Sequence, residues 1–352
     1  MYRKINTYGF IGLMLTFTIL SHLNWQTINI DPKLNWINGQ QFYNIEQQYD
    51  QAFSAHQFAL NFWTAVNFVV FNEGQSGVVI GKNGWLFTAE EFDNTPQHAL
   101  EIQNRLNTIT NTQAQLQQQG IQIIVVVLPS KARVYSEYLT KPLPKFAKSR
   151  YQYFTDWLSQ HQVPNISLLP VLNQQNSQET FVKNDTHWSP VGAKLSARYI
   201  AAELKNRFND LNWHSHRFIT KTLEGKPYRG DLLNYLPLEP YFSFLGGQIS
   251  ALNQERTQSM DEIGLFDDIE YPVAIVGTSY SAKPEWNFVG ALQQYSGLNI
   301  LDMSQNGKGP FMPMAEFIKS EELKRHPLKL VIWEIPERYI VISPEKPKEG
   351  SI

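Results

Sequence analysis

The run Ile121-Gln-Ile-Ile-Val-Val-Val-Leu128 constrains this chain more than any other stretch, because seven of its eight residues are isoleucine, valine or leucine and polar residues do not alternate with them. Such a run is a strand covered on both faces, and strands of that kind belong to parallel sheets flanked by helices. Further apolar runs at 166–172, 273–276, 298–303 and 328–335 read as strands too. Helical patterns over 98–119, 144–160 and 191–204, after Ser279, and after Pro310 alternate with them, which predicts an α/β domain. At 352 residues, 42% of them hydrophobic, the chain is long enough to bury such a core.

The remaining segments are less regular. Arg3 and Lys4 precede an apolar run over 8–23, and Trp25 follows it. A basic flank, an apolar centre and an interfacial aromatic mark an export signal or signal anchor. No small-residue cleavage site follows, so an uncleaved anchor over 1–27 is the expectation, a cleaved signal the alternative, with 28–352 outside the cytoplasmic membrane. Residues 44–72 carry apolar residues at three and four spacing, expected of a long helix with one buried face. Residues 78–87 read as a hairpin around Gly81-Lys-Asn-Gly84. Residues 206–270, with scattered Pro and Gly and an acidic patch, read as an insertion or loop region.

The net charge of −2 favours no nucleic-acid partner, and the lack of cysteine excludes disulfides and thiol chemistry. His214 and His216 lack further ligands nearby and read as surface residues rather than a metal site.

Two stretches carry chemistry. Val273-Ala-Ile-Val-Gly277-Thr-Ser279 is a buried strand closing in a glycine turn, which presents Ser279 at the sheet edge near free backbone N–H groups. The alternative is an ordinary strand-to-helix turn. Asp185-Thr-His187-Trp-Ser places a carboxylate two residues before a histidine, at the entrance to a helix. Asp185 holding the imidazole by Nδ1–H leaves Nε2 free as a general base; a helix cap beside an incidental histidine is the other reading.

Together with Gly81-Lys-Asn-Gly-Trp-Leu-Phe87, Pro129-Ser-Lys131, Tyr228-Arg-Gly-Asp231, Asn306-Gly-Lys-Gly-Pro310 and Trp333-Glu-Ile-Pro-Glu-Arg-Tyr339, these stretches resemble the AlgJ/AlgX-type polysaccharide O-acetyltransferases of the SGNH hydrolase superfamily. The resemblance runs from about residue 45 to 340. It implies a flavodoxin-like three-layer αβα domain with a parallel sheet, Ser279 as nucleophile, His187 as general base and Asp185 as its orienting carboxylate. The triad order is permuted relative to ordinary SGNH esterases, where the serine comes first. Where the superfamily has Gly-Asp-Ser the chain has Gly-Thr-Ser, and the superfamily's oxyanion asparagine has no counterpart. The oxyanion hole then falls to backbone N–H groups of Ser279 and of the loop holding Gly307 and Gly309.

Lys131, Arg229 and Arg338 are candidate substrate-binding cations; Arg338 either binds an anionic sugar or pairs with Glu334. Trp188, Tyr280 and Trp286 are either sugar platforms or packing residues. The resemblance implies transfer of acetyl groups onto an extracytoplasmic polysaccharide during exopolysaccharide biosynthesis, alginate among the candidates, on the periplasmic side of the bacterial inner membrane. A multispanning membrane acyltransferase would supply the acetyl group, with no metal or other cofactor. A carbohydrate acetylesterase and a non-catalytic polysaccharide-binding scaffold are the alternatives.

Overall fold

A computed structural model of the chain describes residues 7–12, 14–16, 19, 28–52, 54–93, 99–173, 179–246, 249–261 and 269–341. Most of the expected anchor (1–27) therefore lies outside the described residues. No helix among the described ones is long and apolar enough to cross a membrane.

The chain forms two compact units. The smaller comprises residues up to 75 together with 235–247. The stretch expected as one long helix, 44–72, is helical through its described residues, as α1 (Gln40–Ala52), α2 (Ser54–Val66) and a π turn (Asn67–Phe71); residue 53 lies outside the described residues. The expected buried apolar face is not what α2 presents: Asn61, Thr64 and Ala65 are buried, whereas Phe58, Phe62 and Trp63 are exposed.

The larger unit comprises 76–234 and 248–352. It opens with a hairpin, β1 (Val78–Ile80) and β2 (Leu86–Thr88), followed by α3 (Ala99–Gln118) and β3 (Gln122–Leu128). Next come α4 (Lys131–Val134), α5 (Lys145–Gln160), β4 (Asn165–Ser167), α6 (Leu169–Leu172) and α7 (Pro190–Arg207). The run 166–172, expected as one strand, is thus split into a three-residue strand and a helical turn. Pro170 sits in the first turn of α6, where its missing N–H removes no helical bond.

The expected loop region is more ordered than its composition suggests. β5 (Phe218–Thr222) pairs antiparallel with β8 (Glu255–Ser259), and β6 (Lys226–Tyr228) with β7 (Ser250–Leu252). Then follow β9 (Val273–Val276), α8 (Ser279–Ala282), α9 (Phe288–Ser296), β10 (Ile300–Asp302), α10 (Phe311–Lys319), α11 (Glu322–Arg325) and β11 (Leu330–Pro336).

The central sheet has the order β10-β9-β11-β3-β4, and every pairing in it is parallel. Successive side chains of each strand enter opposite cores, as period-two geometry requires. Ile124, Val126, Ile275 and Ile332 face α7 and α9; Val125, Val127, Val276 and Trp333 face α3, α5 and α10. This is an α/β three-layer arrangement. The strands' carboxyl ends lie together, which is where open parallel sheets gather functional groups.

Candidate active site

Ser279 stands where β9 ends. Val273–Val276 is buried throughout, the chain turns at Gly277, and Thr278 caps the single turn of α8, its hydroxyl accepting the Tyr280 N–H. Ser279 is the first helical residue, so its N–H has no acceptor within the helix. A Cβ on Gly277 would lie 2.5 Å from Glu334 Oε2, and that proximity is used: Glu334 accepts the Thr278 N–H (2.8 Å) and the hydroxyls of Thr278 and Ser281 (both 3.1 Å). Glu334 is fully buried on the adjoining strand β11, and burial pushes its carboxyl up to about 7 against these hydrogen bonds.

The histidine comes from the loop before α7. Ser189 caps that helix through the Gly192 N–H (3.1 Å) and Pro190 is its first residue, so the cap is not Asp185. Asp185 instead accepts from His187 Nδ1 (2.6 Å) and from the His187 backbone N–H (2.8 Å) through one oxygen. Its other oxygen accepts from the Tyr228 hydroxyl (2.8 Å) and the Asp231 N–H (2.9 Å). His187 Nε2 lies 2.7 Å from Ser279 Oγ. Burial opposes the charge on Asp185, but its bond to His187, the attraction of that imidazole and the converging N–H groups hold its carboxyl well below the usual carboxylate range.

Asp231 is a second carboxylate at this imidazole, with Oδ2 3.6 Å from His187 Nδ1 and Oδ1 accepting the Thr186 N–H at 2.7 Å. Burial and then the charge of Asp185 raise its carboxyl. Asp185, His187 and Asp231 also bring three metal-type donor atoms within 4.8 Å of one another. The two oxygens of Asp185 already take four N–H or O–H donors, and Nε2 meets Ser279. The set is arranged for moving a proton.

The Tyr228-Arg-Gly-Asp231 stretch is drawn in by its glycine. A Cβ on Gly230 would fall 2.0 Å from the carbonyl oxygen of Asn184, so only glycine lets this strand end press against the Asp185 loop. The role of Tyr228, and of Asp231 beside it, was invisible in the sequence, which placed the motif without assigning it a task.

The candidate cations divide. Lys131 does not face a cleft: it is buried, and its ammonium donates to the carbonyls of Val182 (2.7 Å), Lys183 (2.9 Å) and Asp185 (2.8 Å). Burial pulls it down to about 7, with the buried Glu91 opposing. Glu91 in turn accepts the N–H groups of Lys131 (3.0 Å) and Ala132 (2.8 Å). Lys131 therefore shapes the loop that carries Asp185 and His187.

Arg338 is also buried; it pairs with Glu90 (3.0 Å) rather than Glu334, and donates to the Tyr280 hydroxyl at 3.2 Å. Arg229 is exposed and donates to Asn234 (2.6 Å). A cation missed in the sequence is Lys283, half-buried four residues past Ser279, with its ammonium 6.0 Å from the Trp286 ring centre and its charge acting on Asp231.

Trp188, Tyr280 and Trp286 are buried packing residues. Trp286 stacks on the His187 ring (5.5 Å, 25°), and Tyr280 donates its hydroxyl to the Thr186 carbonyl (2.7 Å). Gly307 and Gly309 both lie at positive φ, in a loop rooted beside the nucleophile's turn by the Gln305 N–H to the Gly277 carbonyl (3.1 Å).

Comparison with known proteins gives a consistent set of likenesses. The family model for the SGNH hydrolase-like domain of the acetyltransferase AlgX matches residues 78–337. The chain is 37% identical over 339 residues to a protein from Pseudomonas putida described as probable alginate O-acetylase AlgJ, spanning 94% of this chain and 88% of that one. The Azotobacter vinelandii protein of the same description is 35% identical, over 95% of this chain and 88% of its own. Among solved structures, the O-acetyltransferase domain of Pseudomonas putida AlgJ superposes with a TM-score of 0.71 at 35% identity, covering 78% of this chain and 96% of that domain.

Proposed function

The chain belongs to the AlgJ/AlgX alginate O-acetylase family, with an SGNH hydrolase-like domain, and from that premise we propose that it transfers acetyl groups to hydroxyls of an exported polysaccharide through an acetyl-serine. The observation that carries this reading is the continuous relay from Asp185 through His187 to Ser279, with links of 2.6 and 2.7 Å. The names of its relatives favour alginate as the polymer.

In this mechanism His187 Nε2 takes the proton of Ser279 Oγ as that oxygen attacks the donor's acyl carbonyl. The tetrahedral oxyanion is received by the Ser279 N–H and by backbone N–H groups of the loop holding Gly307 and Gly309. One such donor is worth about 2.7–4 kcal/mol in the transition state. Collapse expels the leaving group, protonated by His187, and leaves acetyl-Ser279. A sugar hydroxyl then gives its proton to His187 and attacks the acetyl carbonyl. The sugar ester departs, and Ser279 regains its proton. The order Asp185, His187, Ser279 along the chain is permuted relative to ordinary SGNH esterases, which geometry permits.

Residues 1–27 would anchor residues 28–352 at the periplasmic face of the inner membrane, supported by the basic flank and apolar run over 8–23. A multispanning acyltransferase would hand over the acetyl group there.

The test is mass spectrometry of the chain after incubation with an activated acetyl ester, with uronate or neutral oligosaccharides, beside Ser279→Ala. The expected result is an acetyl adduct on the Ser279 peptide, discharged faster by uronate oligosaccharide with acetylated sugar as product. An adduct lost only to water would instead make the protein an esterase. No adduct in a folded protein would make it a binding subunit.

A further inference from the structure

The smaller unit contains a helix whose polarity is inverted. From Ser54 to Phe71 the sequence holds no Asp, Glu, Lys or Arg. Within it, α2 buries Asn61, Thr64 and Ala65, and the Asn61 amide donates to the Pro237 carbonyl of the same unit. Phe58, Phe62, Trp63, Val69, Val70 and Phe71 point outward, each between 48% and 64% exposed. Phe58 and Phe62 stack on one another (6.1 Å, 17°), and Tyr241, also exposed, meets Phe58 edge-on at 5.4 Å. Leaving such side chains in water forgoes the free energy that burying them would return. A contiguous patch of them marks a surface that something covers.

We propose that this face lies in the interfacial layer of a phospholipid bilayer. The face has Trp and Phe and no formal charge, the chemistry of the membrane interface, where aromatic rings sit at the level of the headgroups. A protein partner is normally held in register by charge complementarity, and this face offers none.

Position along the chain points the same way. The apolar run over 8–23 ends a short stretch before α1, in the same unit. Anchoring that run therefore keeps α2 beside the lipid; in this respect the inference rests on the anchor proposed above. No described helix is long and apolar enough to span, and α2 is polar on its inner side, so it lies along the surface. Lacking cations, its attachment is insensitive to salt and to anionic lipid, unlike that of a basic helix.

The chain has no cysteine, so single-cysteine variants of the full protein carry a spin label at one known place. Phe62→Cys and Val70→Cys test the face, Thr16→Cys the anchor, and Gln152→Cys on the exposed side of α5 serves as the aqueous control. The protein is reconstituted in phosphatidylethanolamine–phosphatidylglycerol vesicles, and collisions with oxygen and with a water-soluble nickel complex are read. Labels at 62 and 70 are expected to gain oxygen accessibility and lose nickel accessibility relative to 152, unchanged in high salt.

Labels at 62 and 70 that stay as nickel-accessible as 152 overturn the proposal, whatever label 16 reports. Label 16 in water with 62 and 70 in lipid removes only the anchor. Labels at 62 and 70 shielded from both reagents in native membranes, yet open to nickel in vesicles, assign the face to a protein and also overturn it.

Discussion

Glu334 Oε2 accepts the backbone N–H of Thr278 at 2.8 Å, one residue before the serine that meets His187. The acid reaches across from the neighbouring strand and fills the space that Gly277 leaves open, so the turn presenting Ser279 is held by a buried carboxyl group.

That placement has a pH signature. Burial raises Glu334 from 4.5 to about 7, so the folded chain binds this proton more tightly than the unfolded chain. Stability from this group is greatest below pH 4.5, falls as pH rises through that window, and is flat above about 7. Relative to Glu334→Gln, the wild type should lose roughly 3 kcal/mol of unfolding free energy across the window. Urea titrations of both proteins at several pH values measure it; parallel curves would sink the assignment.

Asp185→Asn replaces the acceptor of the 2.6 Å bond from His187 Nδ1 with a group that can stabilise the wrong tautomer. The rate of acetyl-enzyme formation should drop about 10⁴-fold while the protein still folds. Stopped-flow turnover of an activated ester, with circular dichroism as the folding control, reads both. A loss under tenfold means that Asp185 does not orient the base.

Lys131→Met removes the donor shared by three carbonyls of the 182–185 loop. The Val182 and Lys183 carbonyls keep backbone donors, from Asp185 and Leu86, so the cost falls mainly on the Asp185 carbonyl, about 1–3 kcal/mol, and the melting temperature should fall by a few degrees. Lys131→Arg should not restore it, because a planar guanidinium does not reproduce a tripod of donors. A melting temperature unchanged in both variants removes the lysine's structural role.

Gly230→Ala drives a methyl group into the backbone of Asn184, where no side-chain rotation relieves it. The strand end must retreat, taking the Tyr228 hydroxyl and the Asp231 N–H away from Asp185. Destabilisation of about 3 kcal/mol or more is expected. Gly307→Ala, with open space around it and strain only from its positive φ, should cost about 1–2 kcal/mol. Similar thermal shifts for the two would contradict this account.

Lys283→Gln should raise KM for an anionic acceptor about two- to fivefold, the worth of a partly exposed ion pair, and leave hydrolysis of a small neutral ester unchanged. Equal effects on both substrates would show that the lysine does not meet the acceptor.

The parallel-sheet core was legible because strands covered on both faces are written as near-continuous apolar runs; β3, β9 and β11 all carry that mark. Asp185, His187 and Ser279 were legible because each sits in a short local pattern, and the fold brings their side chains together. Run 166–172 misled because a short apolar stretch has the same composition as strand or helical turn, and only its neighbours decide. Lys131 and Arg338 misled for another reason. A cation at a strand end looks the same whether it faces solvent or, as here, carbonyls and carboxylates from distant loops. The tasks of Glu334 and Tyr228 could not be read, since the partners they serve lie 56 and 43 residues away.

The strand order also sets a schedule for assembly. β3 and β4 form one half of the sheet and β9 and β10 the other, and among the described residues no strand of one half pairs with the other. β11, last in sequence, is the wedge that hydrogen-bonds to both. During synthesis the histidine's half and the serine's half can each begin to fold, yet the sheet does not join them until residues 330–336 have left the ribosome. His187 and Ser279, carried by different halves, are therefore joined through the sheet only at its closing step.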